Sequence, residues 1–248
     1  MLMKLSQYID STYLKLPSQA AISEEETTMK VTQLIQEAIV CNFKLVMIRA
    51  AYIPLAKEMI ANANSNVLVG TVVGFHEGTY SLESKLKEAQ EAINAGVDEL
   101  DFVVNYEAFI NGNTTFVAEE IQKGTEIGLK NNKVVKWIIE VAALTDAQIA
   151  SISSLIKKVV IDHFGIEKAT DVFVKSSTGF YKTAAGKPNG ATFETVKIMS
   201  ENARPLKVKA AGGVKTREDA LKMITLGVER IGTSAAKHIV EGVKKNDD

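Results

Sequence analysis

The sequence predicts a single α/β domain, a (β/α)8 TIM barrel over residues 1–248. Three observations predict it. Eight short apolar, β-branched segments alternate with eight helix-like segments along 248 residues, which is the rhythm and length of that fold. No linker or shift in composition divides the chain. Its glycine-rich turns come late, after the seventh and eighth strands. The runner-up, a doubly wound dinucleotide-binding sheet, would carry its phosphate fingerprint after the first strand instead.

Each element has its own signal. Tyr8-Ile9-Asp10-Ser11-Thr12-Tyr13-Leu14 is a short candidate first strand. Ser23 opens a helix to about Val40: serine is a good N-cap, and Glu26 three residues on completes a capping box. Phe43 to Ile48 is the second strand, and a helix from Ile53 to Ala63 follows. Val67 to Val73 is the third strand, followed by the loop Phe75-His76-Glu77-Gly78, where His76 reads as a solvated loop histidine. Leu82 to Ala95 places Leu82, Leu86, Ala89 and Ile93 on one stripe and stops at Gly96. The fourth strand, Glu99 to Val104, is followed by a helix from Thr115 to Leu129 and a fifth strand from Val134 to Glu140. Thr145 and Gln148 form a second capping box, opening a helix to about His163. The sixth strand is Asp171-Val172-Phe173-Val174-Lys175, stopped by Ser176-Ser177-Thr178-Gly179. The polar loop Lys182 to Asn189 then has the character of a segment that closes over a ligand. A helix from Ala191 to Glu201, a strand from Leu206 to Ala211 and a helix from Thr216 to about Leu226 come next. The last strand is Val228 to Gly232, Ser234 starts the final helix, and the tail Lys244 to Asp248 is expected to fray.

Four of these strands carry charges that stability does not explain. Side chains alternate along a strand, so Phe173, Lys175 and Ser177 share a face. Burying an ammonium ion is unfavourable unless it is paired or loses its proton. A single such lysine reads as one that snorkels to the strand end. Here the oddity recurs at Lys209 and Lys136, and Asp101 sits among apolar neighbours on the fourth strand. If these strands line one barrel, their charged ends converge. A lysine beside other cations loses its proton more readily, and a neutral lysine is a nucleophile.

Composition excludes other chemistries. Hydrophobic residues make up 46% and charged residues 24%, ordinary for a soluble globular protein. A formal net charge of -1 argues against a general nucleic-acid binder. The single cysteine, Cys41, rules out an internal disulfide, and His76, His163 and His238 are too scattered for a metal motif, so no metal is expected. Neither a signal peptide nor a membrane-length apolar run is present in the sequence, which makes the cytoplasm the simplest location.

Barrel enzymes work at the C-terminal ends of their strands and often bind phosphate in the loops after strands seven and eight. Ala211-Gly212-Gly213-Val214 and Gly232-Thr233-Ser234 stand there, and Gly179 after strand six can add donors. Glycines let backbone N–H groups approach an anion closely, though ordinary tight turns read the same way.

Several of these stretches resemble the deoxyribose-phosphate aldolase family. They are Phe173-Val174-Lys175-Ser176-Ser177-Thr178-Gly179, Lys207-Val208-Lys209-Ala210-Ala211-Gly212-Gly213-Val214, Arg230-Ile231-Gly232-Thr233-Ser234, Asp98-Glu99-Leu100-Asp101-Phe102-Val103-Val104-Asn105 and Lys136-Trp137-Ile138-Ile139-Glu140. The resemblance spans nearly the whole chain in the expected order. It implies a class I aldolase with no cofactor and a sugar phosphate substrate, acting as a lone chain or as a homodimer or higher homo-oligomer, with no nucleic-acid or membrane partner. By motif, Lys175 is the Schiff-base lysine, Lys209 the lysine that tunes it, and Asp101 takes part in proton transfer. Lys136 either balances Asp101 or forms a structural ion pair. The phosphate would fall to Gly179, Gly212, Gly213, Gly232 and Ser234. Ser11, Met47 and Val141 depart from the family pattern of Asp-His-Thr, a frequent cysteine, and Glu-Thr respectively. Two alternatives remain at this level: another lysine-dependent barrel aldolase, and a non-catalytic barrel that binds a phosphorylated ligand.

Overall fold

The computed structural model describes residues 4–242. The tail expected to fray, Lys244 to Asp248, lies outside the described residues, as do Met1 to Met3 and Val243. The strands are β1 (Ile9–Thr12), β2 (Leu45–Met47), β3 (Leu68–Val73), β4 (Glu99–Val103), β5 (Val134–Ile138), β6 (Val172–Lys175), β7 (Lys207–Ala211) and β8 (Arg230–Thr233). All pair in parallel in chain order, and β8 returns to β1 to close the barrel. The helices are α1 (Pro17–Ala20), α2 (Glu24–Cys41), α3 (Ile53–Asn62), α4 (Leu82–Asn94), α5 (Tyr106–Ile110), α6 (Thr114–Lys130), α7 (Asp146–Phe164), α8 (Phe193–Ala203), α9 (Arg217–Thr225) and α10 (Ala236–Glu241). No helix among the described residues is long and apolar enough to cross a membrane.

Both capping boxes form. Ser23 Oγ accepts the Glu26 N–H at 3.1 Å while Glu26 Oε2 accepts the Ser23 N–H at 2.8 Å, and Thr145 and Gln148 repeat the arrangement. The short helices α1 and α5 were not expected, having too few residues for a periodic pattern. α8 begins at Phe193 rather than Ala191, because Thr192 is its N-cap, with Thr192 Oγ1 accepting the Thr195 N–H at 3.1 Å. α10 begins at Ala236 rather than Ser234, with Thr233 Oγ1 taking the Ala235 N–H.

The stripe expected on α4 is rotated. Lys85, Ala89 and Ala92 are its buried residues. Lys85 is enclosed, donating to the carbonyls of Gly78 and Val103 and to Glu120 Oε1 on α6. Three acceptors satisfy one ammonium, so the lysine ties the β3 and β4 ends to α4 and α6. A hydrophobicity count cannot register such a residue as core.

Alternation divides the core into two. Outward residues of the strands, such as Val46, Leu100, Trp137, Val174 and Ile231, pack under the helices. Inside the barrel, Leu45, Met47, Val72, Val103 and Ile138 form an apolar wall over β2 to β5. The interior also holds a cluster of charges, with Asp10, Glu99, Asp101, Lys136, Lys175, Lys209 and Arg230 all buried.

Candidate active site

Pairing register brings the charges together. Asp101 lies beside Lys136 across β4 and β5, Lys175 beside Lys209 across β6 and β7, and Lys209 beside Arg230 across β7 and β8. Asp101 Oδ1 receives Lys136 Nζ at 2.7 Å, and Oδ2 receives Lys175 Nζ at 2.8 Å and Lys209 Nζ at 2.9 Å. Lys209 Nζ is also 2.6 Å from Asp10 Oδ2. Arg230 joins Asp10 at 2.7 Å to Glu99 at 2.9 Å, and Lys136 Nζ meets Glu99 Oε2 at 2.5 Å. The contacts close a ring of alternating sign: Asp101, Lys209, Asp10, Arg230, Glu99, Lys136 and back to Asp101. Three formal positive charges meet three negative ones within the ring. Lys175 hangs from Asp101 as a fourth cation, so a neutral Lys175 leaves the assembly balanced.

The electrostatics follow from that arrangement. Burial, opposed by Asp101 and reinforced by Lys209, lowers the Lys175 pKa from 10.5 to about 8. Desolvation thus leads, and the neighbouring lysine contributes behind it. Burial works to raise Asp101, but Lys136, Lys175 and Lys209 outweigh it and hold the carboxyl well below its ordinary range. Burial works to lower Lys136, but Asp101 and Glu99 outweigh it and raise its pKa, so Lys136 holds its proton firmly. Lys136 therefore balances Asp101 and ties it to Glu99 at once.

Above Lys175 opens a cavity of about 600 Å³. Gly179, Gly212, Gly213, Gly232 and Ser234 all line it, as do Thr178 and, from β1 and the segment after it, Thr12 and Tyr13. Gly212 and Gly213 adopt φ of 75° and 88°, a left-handed backbone that favours glycine. Gly232 has a second reason to be glycine: a Cβ there would stand 3.1 Å from Lys209 Cε. Lys15, Lys30 and Lys215 also line the cavity. Among the described residues, the buried Ser177 Oγ, Glu140 Oε1 and Tyr13 hydroxyl have no hydrogen-bond partner.

Sequence reasoning brought Lys175, Lys209, Asp101 and Lys136 to one place, and the structure agrees. It missed Asp10, Glu99 and Arg230 as members of the ring. The signal was available, since each is a charge at an inward position of an apolar strand. Nothing marked Lys15 or Lys30.

The model of the DeoC/LacD family aldolases matches residues 4–242. The chain belongs to that family. It is 38% identical to the deoxyribose-phosphate aldolase of Staphylococcus saprophyticus, covering 99% of this chain and all of the relative. It is also 38% identical to that of Caldicellulosiruptor saccharolyticus, covering 96% of this chain and 97% of the relative. Among solved structures, a tetrameric deoxyribose phosphate aldolase from Aeropyrum pernix superposes with a TM-score of 0.76 at 28% identity, covering 96% of this chain and 89% of that one. An aldolase makes or breaks carbon–carbon bonds, and this aldolase-family chain is accordingly a lyase.

The departures from the family pattern fall in different places. Ser11 and Val141 are buried on the outer side, Ser11 by alternation with Asp10 and Val141 within the helix-facing core. Neither lies on the pocket rim. Met47 is inside the barrel, in the apolar cluster that also holds Ile138, and Ile138 pairs in register with Lys175. Cys41 ends α2, before β2 begins and so at the opposite end of the barrel, and burial pushes its thiol pKa up. Met47→Cys would place a thiol, an intrinsically strong nucleophile, in the apolar wall inside the barrel. On the expectation that Lys175 carries a Schiff base, concentrated acetaldehyde should inactivate the parent slowly and the variant faster, through addition of the thiol to an unsaturated iminium. Residual activity over time is the measurement, and equal loss in both proteins would place residue 47 away from the chemistry.

Proposed function

We propose that the chain reversibly cleaves 2-deoxy-D-ribose 5-phosphate to D-glyceraldehyde 3-phosphate and acetaldehyde through a Schiff base on Lys175. The observation that carries this reading is Lys175 itself, 3% exposed below the cavity and bonded to Asp101 at 2.8 Å, with its proton affinity reduced by burial. The relatives named above support the choice of substrate.

Neutral Lys175 attacks the C1 aldehyde of the open-chain sugar, and loss of one water gives an iminium ion. Removal of the 3-hydroxyl proton breaks the C2–C3 bond, whose electrons enter the iminium to form an enamine. Glyceraldehyde 3-phosphate leaves. Protonation of the enamine at its terminal carbon and addition of one water release acetaldehyde and regenerate the amine. Asp101 is suited to pass these protons, with water, because it touches the lysine at which they are needed. Lys209 helps keep Lys175 neutral. The scheme requires no metal or organic cofactor. Gly179, Gly212, Gly213, Gly232 and Ser234 bind the phosphate in this reading, with Lys15, Lys30 and Lys215 adding positive potential. The tetrameric relative supports assembly of this chain as a homo-oligomer as well.

Borohydride reduction in the presence of substrate tests the reaction. A covalent adduct is expected on Lys175 by peptide mass spectrometry. An adduct elsewhere refutes the assignment, and none at all favours a non-catalytic phosphate-binding barrel. The phosphate site has its own test. A methyl at position 213 would stand 3.1 Å from the Ala191 carbonyl and force a left-handed residue other than glycine. Gly213→Ala and the bulkier Gly213→Val are expected to raise KM for the phosphorylated sugar by about tenfold or more, and far less for 2-deoxyribose. Equal losses on both sugars would move the phosphate elsewhere.

A further inference from the structure

Glu140 has no part in the scheme above, yet its surroundings are unusual. It lies two residues past the end of β5, is 1% exposed, and takes φ 55° and ψ 68°, a left-handed backbone rare outside glycine. Its Oε2 accepts the Thr178 N–H at 3.2 Å and also the Thr178 hydroxyl. Thr178 Oγ1 in turn accepts the Phe180 N–H at 3.0 Å. Glu140 Oε1 is buried with no hydrogen-bond partner among the described residues. Thr178, Gly179 and Phe180 line the cavity above Lys175. This turn also abuts the glycine turn after β7, since a Cβ on Gly212 would stand 3.8 Å from Gly179 Cα.

We propose that Glu140 is a positioning residue for the phosphorylated substrate, its carboxyl holding the Ser177–Phe180 turn in the shape that receives the anionic end. The proposal rests on the aldolase reading above and adds a residue to it. A purely structural clamp would be served as well by a neutral amide. Here the clamp is ionisable, and burial, opposed by the Thr178 hydrogen bonds and by Lys175, raises its pKa to about 7. The charged or titratable groups facing it are Lys175 from β6 and Tyr106 from α5, whose hydroxyl burial and Glu140 together help push to about 12. Across neutral pH the carboxyl thus gains a negative charge behind a turn that faces the substrate phosphate. In a poorly hydrated site that charge is weakly screened, and binding of the anion weakens.

Glu140→Gln keeps an oxygen for Thr178 and cannot ionise. The measurement is KM for 2-deoxyribose 5-phosphate and for 2-deoxyribose, in parent and variant, from pH 6 to 8. Comparing the proteins at each pH cancels the titration of the substrate phosphate itself. The ratio of parent KM to variant KM is expected to rise about tenfold over this range for the phosphorylated sugar, to stay level for the unphosphorylated one, and to leave kcat little changed. Glu140→Ala, which releases the turn, is expected to raise KM for the phosphorylated sugar at every pH. A constant ratio for Glu140→Gln, or equal changes with both sugars, would overturn the proposal. Borohydride trapping of the same proteins separates the two levels. A Lys175 adduct in the parent with no pH difference in the variant sinks Glu140 alone, and no adduct in the parent sinks the aldolase reading beneath it.

Discussion

Lys175→Leu is expected to lower kcat/KM for 2-deoxyribose 5-phosphate by about 10⁴- to 10⁶-fold, the scale seen when a covalent nucleophile is removed, and to raise the melting temperature at pH 7. The two effects share one cause. Lys175 is a charge buried beyond what the ring needs, and Asp101 keeps Lys136 and Lys209 when it goes. Replacing such a group with an apolar side chain of similar size removes a desolvation penalty. Its folded pKa, about 8, lies below its ordinary 10.5. Below pH 8 the lysine is protonated in both states, and only the folded state bears the penalty. Above about pH 10.5 it is neutral in both, and the penalty is gone. The gain in stability of the variant should therefore be largest below pH 8 and fade as pH rises towards 10.5. Activity assays and thermal unfolding across pH read both effects. Near-parental turnover would remove Lys175 from the mechanism, and a melting temperature unchanged or lowered at pH 7 would contradict the burial penalty.

Lys209→Leu is expected to reduce kcat/KM at pH 7 by about 100-fold while sparing the fold. Two changes push the same way. The repulsion from the Lys209 ammonium disappears, and Asp101, left with Lys136 and Lys175, draws Lys175 into a tighter ion pair. A unit charge at about 4 Å is worth about 4 kcal/mol at an effective dielectric of 20, more than the roughly 2.8 kcal/mol that a 100-fold loss requires. Both changes raise the Lys175 pKa, so fewer molecules carry a neutral amine at pH 7. The parent profile should rise through pH 8, that of the variant at clearly more alkaline pH, with much of the activity recovered there. A purely structural lysine would give a loss that pH does not restore. Unchanged rate and unchanged profile would refute the tuning role.

How far the sequence reached can be seen residue by residue. The Ser23–Glu26 and Thr145–Gln148 boxes, the glycine after α4 and the apolar runs of the strands are local signals, and the elements they announce are present. The buried Lys85 on α4 was not legible, because its acceptors on β4 and α6 stand far away in the chain. Glu140 looked like one more inward residue of a strand. Its left-handed backbone and its hold on Thr178, 38 positions on, depend on how β5 and β6 end side by side.

By itself the sequence determined the barrel and the convergence of Asp101, Lys136, Lys175 and Lys209 inside it. Strand alternation commits Asp101, Lys136, Lys175 and Lys209 to one face whatever happens elsewhere, and a parallel sheet of this length with covering helices has few ways to close. Only the tertiary structure decided what those charges do. Closure of β8 onto β1 brings Arg230 to Asp10, 220 positions away, and completes a ring in which three positive charges offset three negative ones. Lys175 is left as the unmatched cation. The proton affinity of a side chain depends on its desolvation and on the charges a few ångströms away, and chain closure sets both.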